Sequence, residues 1–405
     1  MQTFRSLLYV LLIVATIAVA FGAGFVTHGL LSGNLQPLGA ILGPSPSSGD
    51  AADGFGVFWE AWHILEKSFY GPQPSVTDRT YGALRGMVQT YNDPYTVFVE
   101  PQPRQRERED LKGEFGGIGA YISQDDQGNF RLKPMADLAA EKAGIRDGDI
   151  LRAVDGSPVA PTMTVDDVVA KIRGPIGTDV RLEVFRESTG ETLTFVVTRQ
   201  RVETPSVEWR MVENAPGVGL VAIRMFSERT PSELDRALRE LSAQGATRLI
   251  LDLRHNPGGL LQSAVEVASR FLPDGVVLYE RKSDGSETVY RVTGGVRAVD
   301  WPMTVLVDGA TASAAEIVAG ALQDRGRAAL VGEKTFGKGS VQFVHDLSDG
   351  SSIHVTVAHW LTPNGHEINA VGLTPDYAVA TAEGRDAPLE EALRVLSGQA
   401  LPFRP

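Results

Sequence analysis

The chain has 405 residues, of which 43% are hydrophobic and 22% charged, a composition typical of a globular protein with more than one domain. Its net charge of -12 argues against a nucleic-acid partner, because nucleic-acid binding needs a basic surface. The lack of cysteine excludes disulfides, thiolate metal sites and cysteine nucleophiles.

The N-terminus begins with an apolar segment. Arg5 precedes a run from Leu7 to Gly24, LLYVLLIVATIAVAFGAG, and Asp, Glu, Lys and Arg stay absent through Leu31. Since about 20 apolar residues cross a bilayer as a helix, residues 1–31 are predicted to be a transmembrane signal-anchor. The positive-inside tendency keeps the N-terminus cytoplasmic and predicts a single-pass cell-membrane protein with its remaining chain extracytoplasmic. Cleavage as a signal peptide after Ala18-Val19-Ala20 is the alternative.

A linker and a helical region follow. Residues 32–52 cluster Gly, Pro and Ser and are predicted to be a linker. Residues 53–112 are predicted to be helical, because large apolar side chains recur at three- and four-residue steps. Those side chains are Phe55, Phe58, Trp59, Trp62 and Leu65. Such a stripe is more often core or a dimer contact than a ligand site, so a homodimer is one interpretation.

The rest of the chain divides by its pattern of strands and helices. Residues 113–202 read as short strands and turns with one helix, TVDDVVAKIRG, near the end. Residues 203–380 alternate strands with helices, which predicts an α/β layered core. Residues 381–405 are predicted to be a C-terminal helical tail.

One core helix carries a start signal in TPSELDRALRELSAQG. Thr230 is its predicted N-cap, Pro231 its first residue, and Glu233 closes a capping box.

Three glycine-bearing loops follow buried strands of the core. They are Asp252–Gly259 (DLRHNPGG), Asp308–Glu316 (DGATASAAE) and Gly332–Gly339 (GEKTFGKG). In an open α/β sheet the loops at the carboxyl ends of the strands build the site, so these three are expected to converge.

Ser313 lies where the strand MTVLV gives way to the helix AAEIVAGAL. A strand-to-helix turn exposes a hydroxyl and points a helix N-terminus at a nearby anion, which suits a nucleophile. Backbone amides beside Gly259 and Ala314 would stabilise a tetrahedral oxyanion. On the residues alone a plain capping box, Ser313 with Glu316 three residues later, is the competing interpretation.

A serine nucleophile needs a base, and Lys338 is the candidate. The chain has neither a Gly-x-Ser-x-Gly elbow nor a His-Glu-x-x-His helix. His255, in the first of the three loops, is the histidine expected nearest the site, with a purely structural role as an equal alternative. Lowering a lysine pKa from about 10.4 to near 7 costs roughly 4–5 kcal/mol, which burial against apolar walls can supply. The competing interpretation is a solvated surface lysine.

The segment GEKTFGK also resembles a phosphate-binding loop. That motif needs Ser or Thr after the lysine and then a helix, whereas Gly339 follows Lys338 and SVQFVHDL alternates like a strand. A nucleotide site is therefore not expected.

Together the segments DLRHNPGGLL, TASAAEIVAGALQDRGRA and GEKTFGKGSVQ resemble the signature segments of carboxyl-terminal processing peptidases, also called tail-specific proteases. The resemblance implies a ClpP/crotonase-like α/β protease core, a β-rich PDZ domain with helices inserted before it, and an N-terminal helical region. It implies Ser313 as nucleophile and Lys338, rather than Lys334, as base. It also implies that Gln342 orients the amine. Ala315 and His255 depart from the family pattern, which often has Ser and Asn there.

The region before the core resembles a PDZ domain. The resembling residues are Gly116-Gly117-Ile118-Gly119, Ala143-Gly144-Ile145 with Gly148-Asp149, and Ile172-Arg173-Gly174 with Gly177. The resemblance implies that Gly116, Gly117, Ile118 and Gly119 bind a terminal carboxylate and that the substrate tail adds as a strand. Arg173 is a candidate link between the PDZ domain and the protease core.

The predicted function is that of a membrane-anchored serine endopeptidase that cleaves protein substrates near their C-termini. The substrates are expected to bind through their C-terminal tails, and the reaction passes through an acyl-enzyme without metal or cofactor. The alternative is a PDZ adaptor with an inactive protease core.

Overall fold

The computed structural model describes residues 50–294 and 300–398, with side chains from Phe55 onward. The predicted signal-anchor and most of the predicted linker lie outside these residues, as does the end of the predicted tail, 399–405. Across the described ranges, none of the helices combines the length and the apolarity that crossing a membrane requires. The chain divides into two units, Met1–Arg79 and Thr80–Pro405, which are described separately.

The first unit contains helix α1 (Asp50–Ser68), which carries the aromatic stripe. Its described side chains are exposed or half-buried, and none is fully buried. Arg79 lies over the Trp62 ring, 4.3 Å from the centroid, and pairs with Glu66 at 3.1 Å. Helix α2 (Val76–Gln89) begins in this unit and continues into the second.

After the end of α2, the second unit continues with a short strand and a charged helix, followed by the predicted PDZ region. The strand is β1 (Val97–Val99) and the helix α3 (Pro101–Lys112). The PDZ region contains two helices, α4 (Ala139–Lys142) and α5 (Val165–Ile172). Its strands are β2 (Glu114–Gly117), β3 (Ala120–Gln124), β4 (Phe130–Pro134), β5 (Asp149–Val154), β6 (Ser157–Pro158), β7 (Asp179–Arg186), β8 (Glu191–Thr198) and β9 (Gln200–Glu203).

The PDZ region has its own hydrophobic core. Its sheet has the order β3-β4-β5-β7-β8, with β6 beside β5, so β3 and β8 are the two edges. β2 and β9 form a separate antiparallel ribbon. The core side chains alternate along β7, where Val180, Leu182 and Val184 point inward, as a sheet with one buried face requires.

The remaining elements build two further sheets. The helices are α6 (Thr230–Ala243), α7 (Leu261–Ser269), α8 (Ala314–Asp324) and α9 (Ala387–Leu396). The strands are β10 (Val207–Met211), β11 (Val218–Ile223), β12 (Arg248–Asp252), β13 (Val276–Lys282), β14 (Glu287–Arg291), β15 (Met303–Val307), β16 (Ala329–Gly332), β17 (Ser340–Asp346), β18 (Ser352–Leu361) and β19 (Tyr377–Ala378).

The central sheet is covered by helices on both faces. Its order is β10-β11-β12-β15-β16-β19, with β10 antiparallel and the other strands parallel. Leu249 and Leu251 join the core shared with α6, α7 and α8, whereas Ile250 joins the core shared with α9. This double burial explains why the strand reads as a continuous apolar run. The predicted mixed α/β class is confirmed.

The second sheet includes the strand that follows the Gly332–Gly339 loop, in which Lys338 lies. Its order is β1-β18-β13-β14, and β17 also pairs with β18. The predicted strand SVQFVHDL is therefore β17, antiparallel to β18.

The start of α6 differs from the prediction. Arg229, not Thr230, is the N-cap, and Thr230 is the first helical residue. The Thr230 hydroxyl accepts from the Ser227 N–H at 2.8 Å and donates to the Met225 carbonyl at 3.0 Å. The Glu233 carboxylate accepts from the Ser206 N–H at 2.7 Å. Both side chains are hydrogen-bonded to residues that precede the helix, so the predicted capping box does not form.

Candidate active site

Ser313 occupies a strained turn between β15 and α8. Its φ of 54° and ψ of -118° are outside the extended region in which an N-cap residue normally sits. A non-glycine residue with such a backbone is costly and persists only where its surroundings enforce it, typically at functional sites. The side chain is half-buried. The strained backbone favours a functional hydroxyl, while the predicted capping bond from the Ser313 N–H to Glu316 is also present.

The fully buried Glu316 joins the serine loop to the lysine loop. Its Oε2 accepts from the N–H of Ser313 and from the N–H of Lys338, each at 2.9 Å. Its Oε1 accepts from the Gly337 N–H at 2.8 Å and from the Thr335 hydroxyl. The sequence interpretation gave Glu316 only a capping role. An acidic residue inside the otherwise apolar helix AAEIVAGAL was the signal that could have revealed this brace.

The Asp252–Gly259 loop packs directly against Ser313. Gly258 has φ 108°, and a Cβ there would lie 2.8 Å from the Ser313 Cβ. Gly259 has φ 134°, and its Cβ would lie 2.3 Å from the Phe226 carbonyl oxygen. Only glycine permits both the backbone conformation and the close approach at these two positions.

Two backbone donors beside the serine remain available. Among the hydrogen bonds of the described residues, neither the Gly259 N–H nor the Ala314 N–H donates to another group. The buried Asn256 side chain fixes this loop. Its amide N–H donates to the Ile223 carbonyl and its amide oxygen accepts from the Gly258 N–H, both at 2.8 Å. This arrangement leaves two N–H groups near the helix start for an incoming anion.

Lys338 is half-buried in the loop between β16 and β17, whereas Lys334 in the same loop is exposed. Burial lowers the pKa of Lys338 below its ordinary value, and the nearby Glu107 carboxylate offsets part of that effect. The Trp360 indole N–H donates to the Lys338 carbonyl at 3.1 Å. The lysine is thus held in surroundings that favour a neutral amine.

Gln342 lies at an irregularity of the β17–β18 pairing. Val341 pairs with Ala358 and Gln342 with Thr356, so Val357 is an extra residue on β18. The Gln342 amide donates to Ser340 Oγ at 2.8 Å and to Thr356 Oγ1 at 3.2 Å. Bulges of this kind re-aim side chains beside active sites.

The three predicted catalytic side chains are not hydrogen-bonded to one another within residues 50–294 and 300–398. Ser313 and Lys338 are connected through their backbones and Glu316. Gln342 bonds to residues of its own sheet. Forming a serine–lysine hydrogen bond therefore requires a side-chain movement.

His255 contacts the loop that precedes Ser313. Its ring is 78% exposed, and its Nδ1 lies 2.8 Å from Asp308 Oδ2. The His255 N–H also donates to the Asp308 carboxylate at 3.1 Å. The Thr311 hydroxyl, in the same loop as Asp308, donates to the Leu253 carbonyl at 2.9 Å. His255 thus fastens two loops together.

The PDZ region contains a groove of about 300 Å³ between β3 and α5. Four of the five predicted PDZ residues line it, namely Gly117, Ile118, Gly119 and Arg173. The N–H groups of Ile118 and Gly119 make no hydrogen bond within the described part of the chain. Gly116, which shares strand β2 with Gly117, does not line the groove, and its carbonyl accepts from the Gly174 N–H at 3.1 Å.

Helix α3 contacts both the PDZ region and the second sheet. Arg173 lies 3.8 Å from the Phe115 ring centroid and 3.7 Å from Glu109 of α3. On the same helix, Arg104 pairs with Asp346 of β17 at 2.9 Å. These contacts come from the charged run RQRERED (104–110), whose composition alone is typical of a solvated face.

Comparisons with known proteins agree with this architecture. The model of Peptidase family S41 matches residues 217–379, and that of the PDZ domain matches residues 132–186. These matches define the class, a serine-type peptidase that carries a PDZ domain.

Individual relatives narrow the class. The chain is 38% identical to a carboxyl-terminal-processing protease of Synechocystis sp. over 323 residues, 78% of this chain and 75% of that protein. It is 36% identical to the carboxy-terminal processing protease CtpA of Bacillus subtilis over 372 residues, 91% of this chain and 76% of that protein. The chain therefore belongs to the carboxyl-terminal-processing protease family. A solved photosystem II D1 C-terminal processing protease is 34% identical, with a TM-score of 0.47, covering 85% of this chain and 92% of that one.

Proposed function

We propose that this chain is a membrane-anchored serine endopeptidase that cleaves proteins near their C-termini with Ser313 as nucleophile and Lys338 as base. The observation that carries the proposal is the Glu316 brace, which ties the backbones of both residues to one buried carboxyl group. The strained turn at Ser313 and the lowered pKa of Lys338 add support, because each is expected of its catalytic role.

The reaction would proceed through an acyl-enzyme. Ser313 Oγ attacks the scissile carbonyl carbon while the Lys338 amine takes the hydroxyl proton. The N–H groups of Gly259 and Ala314 hydrogen-bond the oxyanion. As the C–N bond breaks, the Lys338 ammonium returns its proton to the leaving amine. Water, deprotonated by the same amine, then attacks the acyl carbon. The ester C–O bond breaks, the Lys338 ammonium returns its proton to Ser313 Oγ, and the carboxylic acid product leaves.

A movement of Lys338 precedes this chemistry. The amine must reach the Ser313 hydroxyl, within about 2.6–3.2 Å, for proton transfer. A lysine stem has four rotatable carbons and can make the change without moving the braced backbone. In the aligned state Gln342 would orient the amine.

Substrate tails would enter through the PDZ groove. Ile118 and Gly119 offer free N–H groups for a terminal carboxylate, and β3 is a sheet edge to which an extended tail can add. The groove is lined by apolar side chains such as Met135 and Val169, so a tail with apolar residues fits it best.

The apolar run from Leu7 to Gly24 supports a membrane anchor, with the catalytic part on the extracytoplasmic side. The exposed aromatic side chains of α1, among them Phe55 and Trp59, support a homodimer through this helix.

Two variants test the proposed dyad. Ser313→Ala and Lys338→Ala are each expected to abolish cleavage of an unfolded protein with an apolar C-terminus, with the melting temperature retained. Lys334→Ala is the matched control, because this lysine is exposed in the same loop. Activity that survives in Lys338→Ala would overturn the dyad. A wild-type chain that binds such tails without cutting them would be the PDZ adaptor of the alternative interpretation.

A further inference from the structure

Tyr95 is the aromatic neighbour of the Lys338 amine. It lies between α2 and β1, far from the lysine in sequence and outside the segment that matches the peptidase family. The Lys338 Nζ is 5.0 Å from the centroid of the Tyr95 ring. This distance is within the range at which a cation interacts with a ring face.

The segment that carries Tyr95 is fastened to the second sheet. The Asp93 carboxylate accepts from the Thr96 hydroxyl at 2.6 Å and from the Tyr95 N–H at 3.3 Å. The Thr96 hydroxyl in turn accepts from the Thr356 N–H at 3.2 Å. Since Thr356 also receives the Gln342 amide, the tyrosine and the glutamine share one support. A ring held in this way can define where a neighbouring amine rests.

Two carboxylates also lie around Lys338, and they come from different helices. Glu107 of α3 lies near the amine and is itself paired with Arg104 at 2.8 Å and with His354 of β18 at 3.3 Å. Glu316 of α8 holds the lysine backbone. Tyr95 differs from all of these, because it contributes an uncharged surface.

We propose that Tyr95 is a positioning residue of the peptidase site, whose ring is the wall on which the Lys338 amine rests and which keeps water away from it. The ring acts in two opposing ways. Its face attracts a cation, which favours the ammonium form, while its bulk excludes water, which favours the neutral form. The proposal rests on the proposed function, because it concerns Lys338 as the base.

Three substitutions separate the two effects in the full-length chain. Tyr95→Phe keeps the ring, Tyr95→Leu keeps an apolar wall without the ring face, and Tyr95→Ala opens the wall to water. The measurement is kcat/KM against pH for an internally quenched peptide with an apolar C-terminus. Its acidic limb reports the deprotonation of the base in the free enzyme.

The expected shifts have opposite signs. Tyr95→Phe follows the wild-type profile. Tyr95→Leu moves the acidic limb to lower pH by about half to one pH unit, because the ammonium loses the ring face. Tyr95→Ala moves the limb to higher pH by a similar amount, because water stabilises the ammonium. If Tyr95 only supported the fold, its variants would have lower activity or a lower melting temperature, but the acidic limb of kcat/KM would stay at the same pH in all of them.

The outcomes distinguish this inference from the proposed function. If Lys338→Ala is inactive while Tyr95→Leu keeps the wild-type limb, the role of Tyr95 is wrong and the dyad stands. If Lys338→Ala is active, the dyad itself is wrong. Should Tyr95→Ala fail to fold, the Phe and Leu variants still decide, since both preserve an apolar side chain of substantial size. Equal profiles for Phe and Leu would overturn the inference.

Discussion

The Glu316 side chain accepts hydrogen bonds from two backbone segments, one at Ser313 and one at Gly337 and Lys338, which belong to different loops. Its importance follows from its burial, because a donor left without a partner there cannot turn to water. At the scale of single residues, the proposed active site therefore depends on a carboxyl group that takes no part in the proposed bond making.

Replacing this group tests the point. Glu316→Gln puts an NH₂ donor against N–H donors, so at least one of them loses its acceptor. If the misaligned site loses about 3 kcal/mol of transition-state stabilisation, kcat/KM falls roughly a hundredfold. The measurements are peptide cleavage and the melting temperature, with Glu333→Gln as control because that carboxylate is exposed in the loop that carries Lys338. Unchanged kcat/KM in Glu316→Gln would contradict the brace.

Helix α3 connects the site to its surroundings through its charged face. Glu107 raises the pKa of Lys338 against the lowering effect of burial. We therefore expect Glu107→Gln to lower the pKa of Lys338 further, so that the neutral amine forms at lower pH and the acidic limb of kcat/KM moves down. Glu109→Gln on the same helix is the control, since Glu109 pairs with Arg173 instead. An acidic limb of kcat/KM that moves equally in both variants would argue against a specific effect of Glu107.

Within the PDZ region, strands β5 and β7 are joined by a buried ion pair. Arg186 binds Asp149 through two hydrogen bonds of 2.8 and 2.7 Å. Burial raises the pKa of Asp149, but the Arg186 hydrogen bonds and the Arg146 N–H outweigh it, so the pKa is below its ordinary value. A depressed carboxyl pKa stabilises the fold above the unfolded pKa, and this stability disappears as pH falls through the folded pKa.

Breaking this pair should unfold the PDZ region first. Asp149→Asn leaves the Arg186 guanidinium without its charged partner in the interior, at a cost of about 3–5 kcal/mol. Hydrogen exchange of the full chain should then show lost protection in β4, β5 and β7, with the central sheet unaffected. Equal protection in the variant and the wild type would show that the pair contributes little.

At the scale of the whole molecule, the parts predicted well are those encoded locally. The α/β alternation and the three loops could be predicted because each strand, turn and helix lies within a short stretch of sequence. The capping bond of Glu316 to the Ser313 N–H could be predicted, whereas its bonds to Gly337 and Lys338 could not, because those residues belong to another loop. Tyr95 was missed because β1, beside β18, brings it to Lys338 from the other end of the chain. Long-range pairing of this kind leaves no periodic pattern.

The proposed separation of tail recognition, in the PDZ groove, from bond cleavage, at Ser313 and Lys338, provides a last prediction. Val169 lines the groove of the PDZ region, and Val169→Glu places a carboxylate where an apolar tail with its own terminal carboxylate would bind. We expect KM to rise about tenfold or more for a protein with an apolar C-terminus, since one unfavourable charge costs at least about 1.4 kcal/mol. The kcat should stay unchanged, because Ser313 and Lys338 lie in another part of the fold. Val196→Glu is the matched control, because Val196 is exposed on β8, the opposite edge of the sheet. A similar rise in KM for both variants, or none for either, would mean that substrate tails do not use this groove.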